Sequence, residues 1–508
     1  KAIEETPDLK LLYNSDQQVK ELLDMAKRVE GMPRHASTHA AGVVISDRAV
    51  WEYVPLALND NSAVTQYTMT SLEELGLLKM DFLGLRNLTI IRDAQNHIKK
   101  HNPTFNIDNI PLDDKETYKM MSEGFTDGIF QFESEGMKNV LRQFRPERIE
   151  DLTAILSLYR PGPMDSIPKY IHNRHNPEDI KYDTPLLKPI LDVTYGCIVY
   201  QEQVMQIFRT LAGYSLGRAD IVRRAMSKKK HDVMKNEKQA FIYGQKDEKG
   251  NVICTGAVNN GVSEKAAEKI FDEMSAFSSY AFNKSHAAAY SVVSYQTAYL
   301  KCHYPKEYMS ALMSAALDDT NKIAFYTSEC NRLGIKVLPP HINKSFENFT
   351  PVAEGIRFGL CAIKNIGDGF VSRHIKSREE EGDYTSMYDF CSRNCGLDFN
   401  RRALEGLIKS GALDGLEVNR KTMLFGADMV LNAVSDEKKY YSSGQMDIFS
   451  EGGETPKVSL TPMEEMSQDI KLSMEKEATG LYLSGHPLSQ YINYAKSINA
   501  PQLSQVLA

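Results

Sequence analysis

No stretch of this 508-residue chain approaches the roughly 18 consecutive apolar residues that a membrane-spanning helix needs, so no membrane partner is expected. Positive charge is not in excess: 60 Lys+Arg stand against 67 Asp+Glu, a formal net charge of −7. A wholly basic nucleic-acid-coating protein is thereby excluded, and any polyanion contact must rest on local charge. Cysteine is sparse. Seven thiols, an odd number widely scattered, read as the reduced cysteines of a cytoplasmic protein rather than a disulfide framework. Cys391 and Cys395 are the one close pair, and without two further ligands beside them they do not read as a zinc site. Apolar leader and initiator methionine are both missing; the chain opens Lys1-Ala2-Ile3-Glu4-Glu5, which reads as the inside of a longer polypeptide, and its end reads as a cut. A tandem repeat of fixed period is lacking too.

What is present is an ordinary globular mixture, 42% hydrophobic and 25% charged, long enough for about three to four domains. Helical spacing runs over residues 11–30 and stops at Gly31 and Pro33. AAGVVI (40–45) and GLLKMDFLGL (76–85) are short apolar runs bounded by glycines and polar turns, the pattern of buried strands. Residues 88–100 return to helical spacing. From about 105 to 340 the pattern is mostly helical, with 196–213 and 286–301 as long amphipathic segments. Residues 355–425 hold two helix–turn–helix patterns, and 435–470 read as a polar linker before a structured end, EKEATGLYLSGHPLSQY.

Five segments carry candidate chemistry. In Lys79-Met80-Asp81 the charged pair shares one face of a strand inside an apolar run. A carboxylate there can hold a divalent metal while the lysine meets a phosphate; a structural ion pair on a strand edge satisfies the same spacing. Between Gly217 and Lys230 six basic residues stand against one acid. On a helix Arg223 and Arg224 project about 100° apart and suit a triphosphate gripped from two sides, with Lys228, Lys229 and Lys230 as further polyanion contacts. A solvated basic face is the bland alternative.

Asn283, Lys284, Ser285 and His286 cluster at the start of an alanine-rich helix, where Ser285 suits the cap and the helix N-terminus favours a phosphate. Tyr290 follows His286 on the same face, although capping residues and a core tyrosine explain the pattern equally well. Phe358-Gly359-Leu360-Cys361-Ala362-Ile363-Lys364-Asn365-Ile366-Gly367-Asp368-Gly369 resembles a helix–hairpin–helix module, whose glycines let backbone N–H groups approach a DNA phosphate. A weaker second unit runs from Arg401 to Leu413. Finally, Gln445-Met446-Asp447-Ile448-Phe449 puts an apolar tip in a polar stretch, a docking peptide or an accidental pair.

RHASTHAAGVVIS, LGLLKMDFLGLRNL, GIFQFES, LYRPGPM, YQEQVMQI, RRAMSKKK, FNKSHAAAYS and EKEATGLYLSGHPL, in this order over essentially the whole chain, resemble the alpha subunit of bacterial DNA polymerase III, the C-family replicative polymerases, and more its DnaE type than its PolC type. The resemblance implies a multidomain, mostly helical α/β chain with part of a nucleotidyltransferase-like palm sheet. Residues 1–30 would end a thumb, 31–90 form the palm's second half, and 91–350 form helical fingers. Residues 351–430 would be tandem helix–hairpin–helix, 431–470 a linker with a sliding-clamp-binding peptide, and 471–508 the lead-in to an oligonucleotide-binding domain.

By the same resemblance Asp81 matches the third of three metal-binding palm aspartates, and Lys79, Arg223, Arg224 and Asn283–His286 match the pocket for the incoming deoxynucleoside triphosphate. Two Mg²⁺ ions, primer-template DNA, the beta sliding clamp and other replisome subunits are the implied cofactor and partners. The family's other two aspartates lie in a PDxDxDF-like segment, and this chain contains no Asp-x-Asp anywhere. DNA polymerase activity is therefore expected of the parent protein and not of this chain alone. A non-catalytic DNA- and clamp-binding adaptor on the same scaffold is the alternative; a phosphate-binding metabolic enzyme would leave the hairpins and Gln445–Phe449 unexplained.

Overall fold

The computed structural model describes residues 2–32, 37–59, 61–227, 231–278, 282–396, 399–442, 459–498 and 500–501. The chain divides into two units, Lys1–Leu85 and Arg86–Ala508. It is mostly helical, with small sheets in both units.

In the first unit the single helix expected over 11–30 is broken. Pro7–Ser15 and Gln17–Val29 are separate helices because Asp16 takes an extended conformation and its carboxylate accepts from the Gln18 and Val19 amides at 2.8 and 3.2 Å. An aspartate that caps the next helix cannot continue the previous one. The expected strands form, shortened to Gly42–Ile45 and Leu78–Asp81, and pair antiparallel with Gly42 opposite Asp81 and Val44 opposite Lys79. They are not buried: Val43, Ile45, Leu78 and Met80 are all exposed. Only one face of this two-stranded ladder is covered within the unit, where Val44 packs against Val54, Leu72 and Leu77. A hairpin, Leu56–Asn59 with Ser62–Thr65, completes the unit's sheets among the described residues.

The second unit is organised around the helix Lys284–His303. Ala287, Ser291, Ser294 and Ala298 are small and buried along it, so it packs closely against the helix Ile149–Leu158. Tyr295 and Ala298 enter one apolar core with Leu141, Phe144, Leu152 and Tyr170. A second core lies among Gln201–Ala212, Leu216–Ser227 and Glu264–Ser278, centred on Phe208, Phe241 and Phe271. The amphipathic run at 196–213 is helical only from Gln201, because residues 196–200 turn in to bridge Tyr200 with Phe282. A small hairpin, Gln245–Lys246 with Val252–Cys254, interrupts the helices.

The largest core joins Arg86–Lys99 and Pro305–Ser314 to the segment 335–434. There Asn365 adopts a left-handed conformation (φ 66°) and Gly367 caps the helix Asp368–Glu381. What precedes this hairpin is a 3₁₀ turn, Leu360–Ala362, in place of a full first helix. The second hairpin has full helices, Arg401–Lys409 and Arg420–Ser442. Gly406 lies against the first hairpin so tightly that a Cβ would sit 2.9 Å from the Lys364 carbonyl oxygen. The helix Arg420–Ser442 runs into the stretch read as a linker, and residues 443–458 lie outside the described residues. No helix among the described residues is long and apolar enough to cross a membrane.

Candidate functional site

In the first unit, strand register puts Lys79 and Asp81 on one face beside Gly42. Lys79 Nζ lies 2.5 Å from Asp81 Oδ1, and His39 Nε2 stands 3.9 Å from the same oxygen. A Cβ at 42 would come within 2.7 Å of Lys79 Cε and 2.9 Å of His39 Nδ1, so any larger residue there displaces both side chains from this arrangement. The Lys79 side chain is 13% exposed and that of Asp81 44% exposed. The lysine's hydrogen bond holds the Asp81 carboxyl below its ordinary range, against a smaller opposing effect of burial. Asp81 is thus an ionised, open oxygen donor suited to a hard cation.

In the second unit Arg223 and Arg224 do not stand apart. Both turn onto Asp220 of their own helix, Arg223 Nη2 to Oδ1 and Arg224 Nη2 to Oδ2, each at 2.8 Å. Two guanidinium groups already grip one carboxylate from two sides, which is oxyanion-clamp chemistry. Arg218 of the same basic run is structural: it bonds Glu237 and Gln245 and lies over the Tyr214 ring. Lys228, Lys229 and Lys230 lie outside the described residues.

Asn283, not Ser285, caps the helix Lys284–His303: its Oδ1 accepts from the His286 amide at 2.9 Å. Asn283, one residue before the helix begins, reaches the third amide, where a cap belongs, while Ser285 is already inside the helix. The Lys284 amide donates to both Glu202 carboxylate oxygens, and its ammonium lies 5.4 Å from the Tyr200 ring centre. The His286 and Tyr290 rings pack tilted with centroids 4.3 Å apart and form one wall of a cavity of about 720 Å³.

Apart from Phe282, which opens the Asn283–Tyr290 segment, the rest of that wall has no marker of its own in the sequence. Phe130 meets Tyr290 at 5.3 Å, Phe282 meets His286 at 5.3 Å, and the Arg160 guanidinium covers Phe282 at 4.0 Å. Gln131, Tyr159 and Arg160 also line the cavity. Gln131 has φ 67°, a left-handed conformation that costs a non-glycine residue about 1 kcal/mol or more. Its loop is tied down on both sides. Phe130 N donates to Thr297 Oγ1, the Tyr308 hydroxyl to Gly128 O, and buried Lys301 to Phe125 O and Asp127 O. Lys301 also pairs with Glu329 at 2.5 Å; burial alone would raise that carboxyl, but Arg332 and Lys301 hold it below its ordinary range. Phe130 and Gln131 sit in GIFQFES, and Tyr159 and Arg160 in LYRPGPM, where no charge pattern marks them.

At the hairpins Lys364, Gly367 and Gly369 are exposed while Ile363, Ile366 and Phe370 are buried. A Cβ at Gly367 would meet nothing within 4 Å, and no side chain caps the helix that begins there. Gln445, Met446, Asp447, Ile448 and Phe449 lie outside the described residues.

Comparison with known proteins gives three family matches: the bacterial DNA polymerase III alpha NTPase domain over residues 1–84, the finger domain of the same subunit over 87–249, and a helix-hairpin-helix motif over 334–423. DNA polymerase III subunit alpha of Thermus aquaticus is 44% identical over 497 residues, 96% of this chain. The chain belongs to the bacterial DNA polymerase III alpha-subunit family. The proteins of the same name from Borreliella burgdorferi and Escherichia coli K12 are 45% and 40% identical, over 95% and 97% of this chain. The chain spans about two fifths of the length of these alpha subunits: 39%, 42% and 43% of the three. The alpha-subunit signature EKEATGLYLSGHPL has a structural explanation here. Fully buried Glu475 accepts from Arg420 through one oxygen and from the Leu483 and Ser484 amides through the other, which docks the terminal segment on the second hairpin.

Proposed function

We propose that this chain is part of a replicative DNA-directed DNA polymerase that adds deoxynucleoside triphosphates to a primer 3′ end. The observation that carries this reading is the cavity of the second unit. Segments around Phe130, Arg160 and His286, far apart in sequence, build a continuous aromatic wall with a cation against it. Flat aromatic faces suit a base, and Arg160 suits a phosphate or a sugar hydroxyl. Asn283, Lys284, Ser285 and His286 belong to that nucleotide subsite, and Arg223 and Arg224 grip the triphosphate by exchanging Asp220 for a stronger polyanion.

In the first unit Asp81 fits Mg²⁺ as one carboxylate ligand, and bound Mg²⁺ would neutralise phosphate charge and activate the primer hydroxyl. Lys79, held beside it, offers a point charge to a phosphate. Two ions need more than one carboxylate, so the chain by itself does not polymerise. Residues 1–30 are read as thumb, 31–90 as palm, 91–350 as fingers and 351–430 as the tandem hairpins. Gly367 and Gly369 hold duplex phosphates through backbone N–H groups, and Lys364, whose own amide is taken by the Ala478 carbonyl, through its exposed ammonium, without reading sequence. Lys228–Lys230 add charge to the DNA channel. Residues 431–470 carry the beta-clamp peptide, and 471–508 lead to an oligonucleotide-binding domain. The single carboxylate beside Lys79 also favours a second reading, a non-catalytic adaptor for DNA and the clamp; an Asp-x-Asp upstream in the parent gene separates the two.

Fluorescence anisotropy of a labelled primed template tests the reading. The folded chain should bind tightly at low salt, with affinity falling steeply as salt rises and the slope counting phosphate contacts. Absence of binding at low salt, with circular dichroism reporting a folded chain, would sink it. Mg²⁺-dependent primer extension by this chain would overturn the claim that it is inactive alone.

A further inference from the structure

The helix Lys284–His303 has a second concentration of chemistry at its other end, about 25 Å from His286 by helix rise. Its last turn carries Cys302 and His303, which face the first turn of the helix Lys115–Ser122. One ligand atom each from Glu116, Cys302 and His303 lies within 4.8 Å of the others, and among the described residues no other such trio occurs. The nucleotide reading uses none of the three.

The imidazole is oriented as metal-bound imidazoles are. His303 Nε2 lies 2.8 Å from Asp114 Oδ2, and Asp114 is itself fixed by the Thr117 amide at 2.8 Å and the Thr117 hydroxyl at 2.6 Å. A carboxylate that engages one ring nitrogen sets the tautomer and leaves the other nitrogen, Nδ1, as a lone-pair donor. The Tyr299 ring packs tilted against the same imidazole, centroid to centroid 4.5 Å, and limits its rotation. Both elements are ordered helices, so two of the three donors come from adjacent residues on a fixed backbone and the third from one long exposed side chain.

We propose that Glu116, Cys302 and His303 bind a borderline-soft divalent cation of the zinc class, with Asp114 as the carboxylate behind His303. A thiolate, an imidazole and a carboxylate suit Zn²⁺ and its spectroscopic substitute Co²⁺, whereas Mg²⁺ takes oxygen donors. Tetrahedral ligation at about 2.0–2.3 Å puts ligand atoms roughly 3.5 Å apart, so binding draws the trio together by about 1 Å. Rotation of Glu116 and a small shift of the thiol supply that. Binding releases the thiol proton to solvent, and a water completes the fourth position. The ion would pin the start of Lys115–Ser122 to the end of Lys284–His303, at the end of the helix away from the cavity.

The test is Co²⁺ titration of the purified 508-residue chain. One equivalent should give a saturable thiolate-to-cobalt charge-transfer band together with the visible bands of tetrahedral Co²⁺, and Zn²⁺ should displace both. Cys302→Ser should abolish the charge-transfer band. Glu116→Ala, at an exposed position that cannot unfold the protein, should weaken binding at least tenfold. Asp114→Asn, which keeps a helix cap, should weaken it about 10- to 100-fold. Absence of the band in the unmodified chain would overturn the proposal, as would a band that survives Cys302→Ser. Mg²⁺-type binding at Asp81 produces no thiolate band, so the two sites are distinguishable.

Discussion

Lys79 reaches Asp81 at 2.5 Å with its stem crossing Gly42, where a Cβ would lie 2.7 Å from Lys79 Cε and displace it. The pair therefore depends on a residue on the partner strand as much as on its own spacing. Replacing Lys79 with Met should raise the Asp81 carboxyl back toward the ordinary aspartate value, since the lysine's hydrogen bond is the main cause of its depression. Carboxyl-carbon NMR of aspartate-labelled protein, assigned with Asp81→Asn, reads this directly; an unchanged titration would mean that Lys79 does not govern Asp81.

Glu475 is buried against Arg420 and two backbone amides. Glu475→Ala leaves Arg420 with Asp414 and the Lys409 carbonyl, and orphans the Leu483 and Ser484 amides. Removing one partner of a buried pair costs about 3–5 kcal/mol. Urea unfolding should register that loss, and hydrogen exchange should speed up at Leu483 and Ser484. Wild-type protection at those amides in the variant would contradict the docking role.

His374 is fully buried among Phe370, Tyr384 and Phe390; its Nε2 meets the Ile342 carbonyl at 3.0 Å and its Nδ1 has no partner. Burial, with Arg378 nearby, depresses its pKa from 6.5 to about 4. The unfolded chain binds this proton first, so stability falls as pH drops from about 6.5 to 4 and is unaffected above that window. The contribution is about 3 kcal/mol across the full window. Chemical denaturation at pH 7.5 and pH 5 should show a larger drop for the wild type than for His374→Gln; equal drops would remove His374 from the account.

Ile448→Ala with Phe449→Ala should abolish binding to the beta sliding clamp while leaving primed-template affinity unchanged. Surface plasmon resonance against immobilised clamp and anisotropy on DNA measure the two separately. Undiminished clamp affinity in the double variant would retire the assignment of Gln445–Phe449 as the docking peptide.

The sequence by itself determined the membership of the family, the helical character, the two hairpins, and the face shared by Lys79 and Asp81. All of these follow from local spacing or from long runs of residue identity, which are written along the chain. It also carried every residue of the cavity wall, yet it did not mark Phe130, Gln131 or Arg160, because an aromatic or an arginine in a loop has no periodicity that tells a wall from a core. The tertiary structure decided that these segments meet His286 and Tyr290, and that Gln131 is held left-handed by bonds from Thr297, Tyr308 and Lys301 to its loop. It decided that Asn283 caps where Ser285 was expected, and that Asp16 splits a helix whose apolar spacing ran on without a break. It turned both arginines onto Asp220, and it brought Glu116 to Cys302 and His303 across some 190 residues. The caps and the Asp220 pairs are contacts two to four residues apart, where several local partners compete and the spacing does not name the winner. The cavity wall and the Glu116 trio depend on which distant side chains lie within a few ångströms after packing, and separation along the chain carries no information about that.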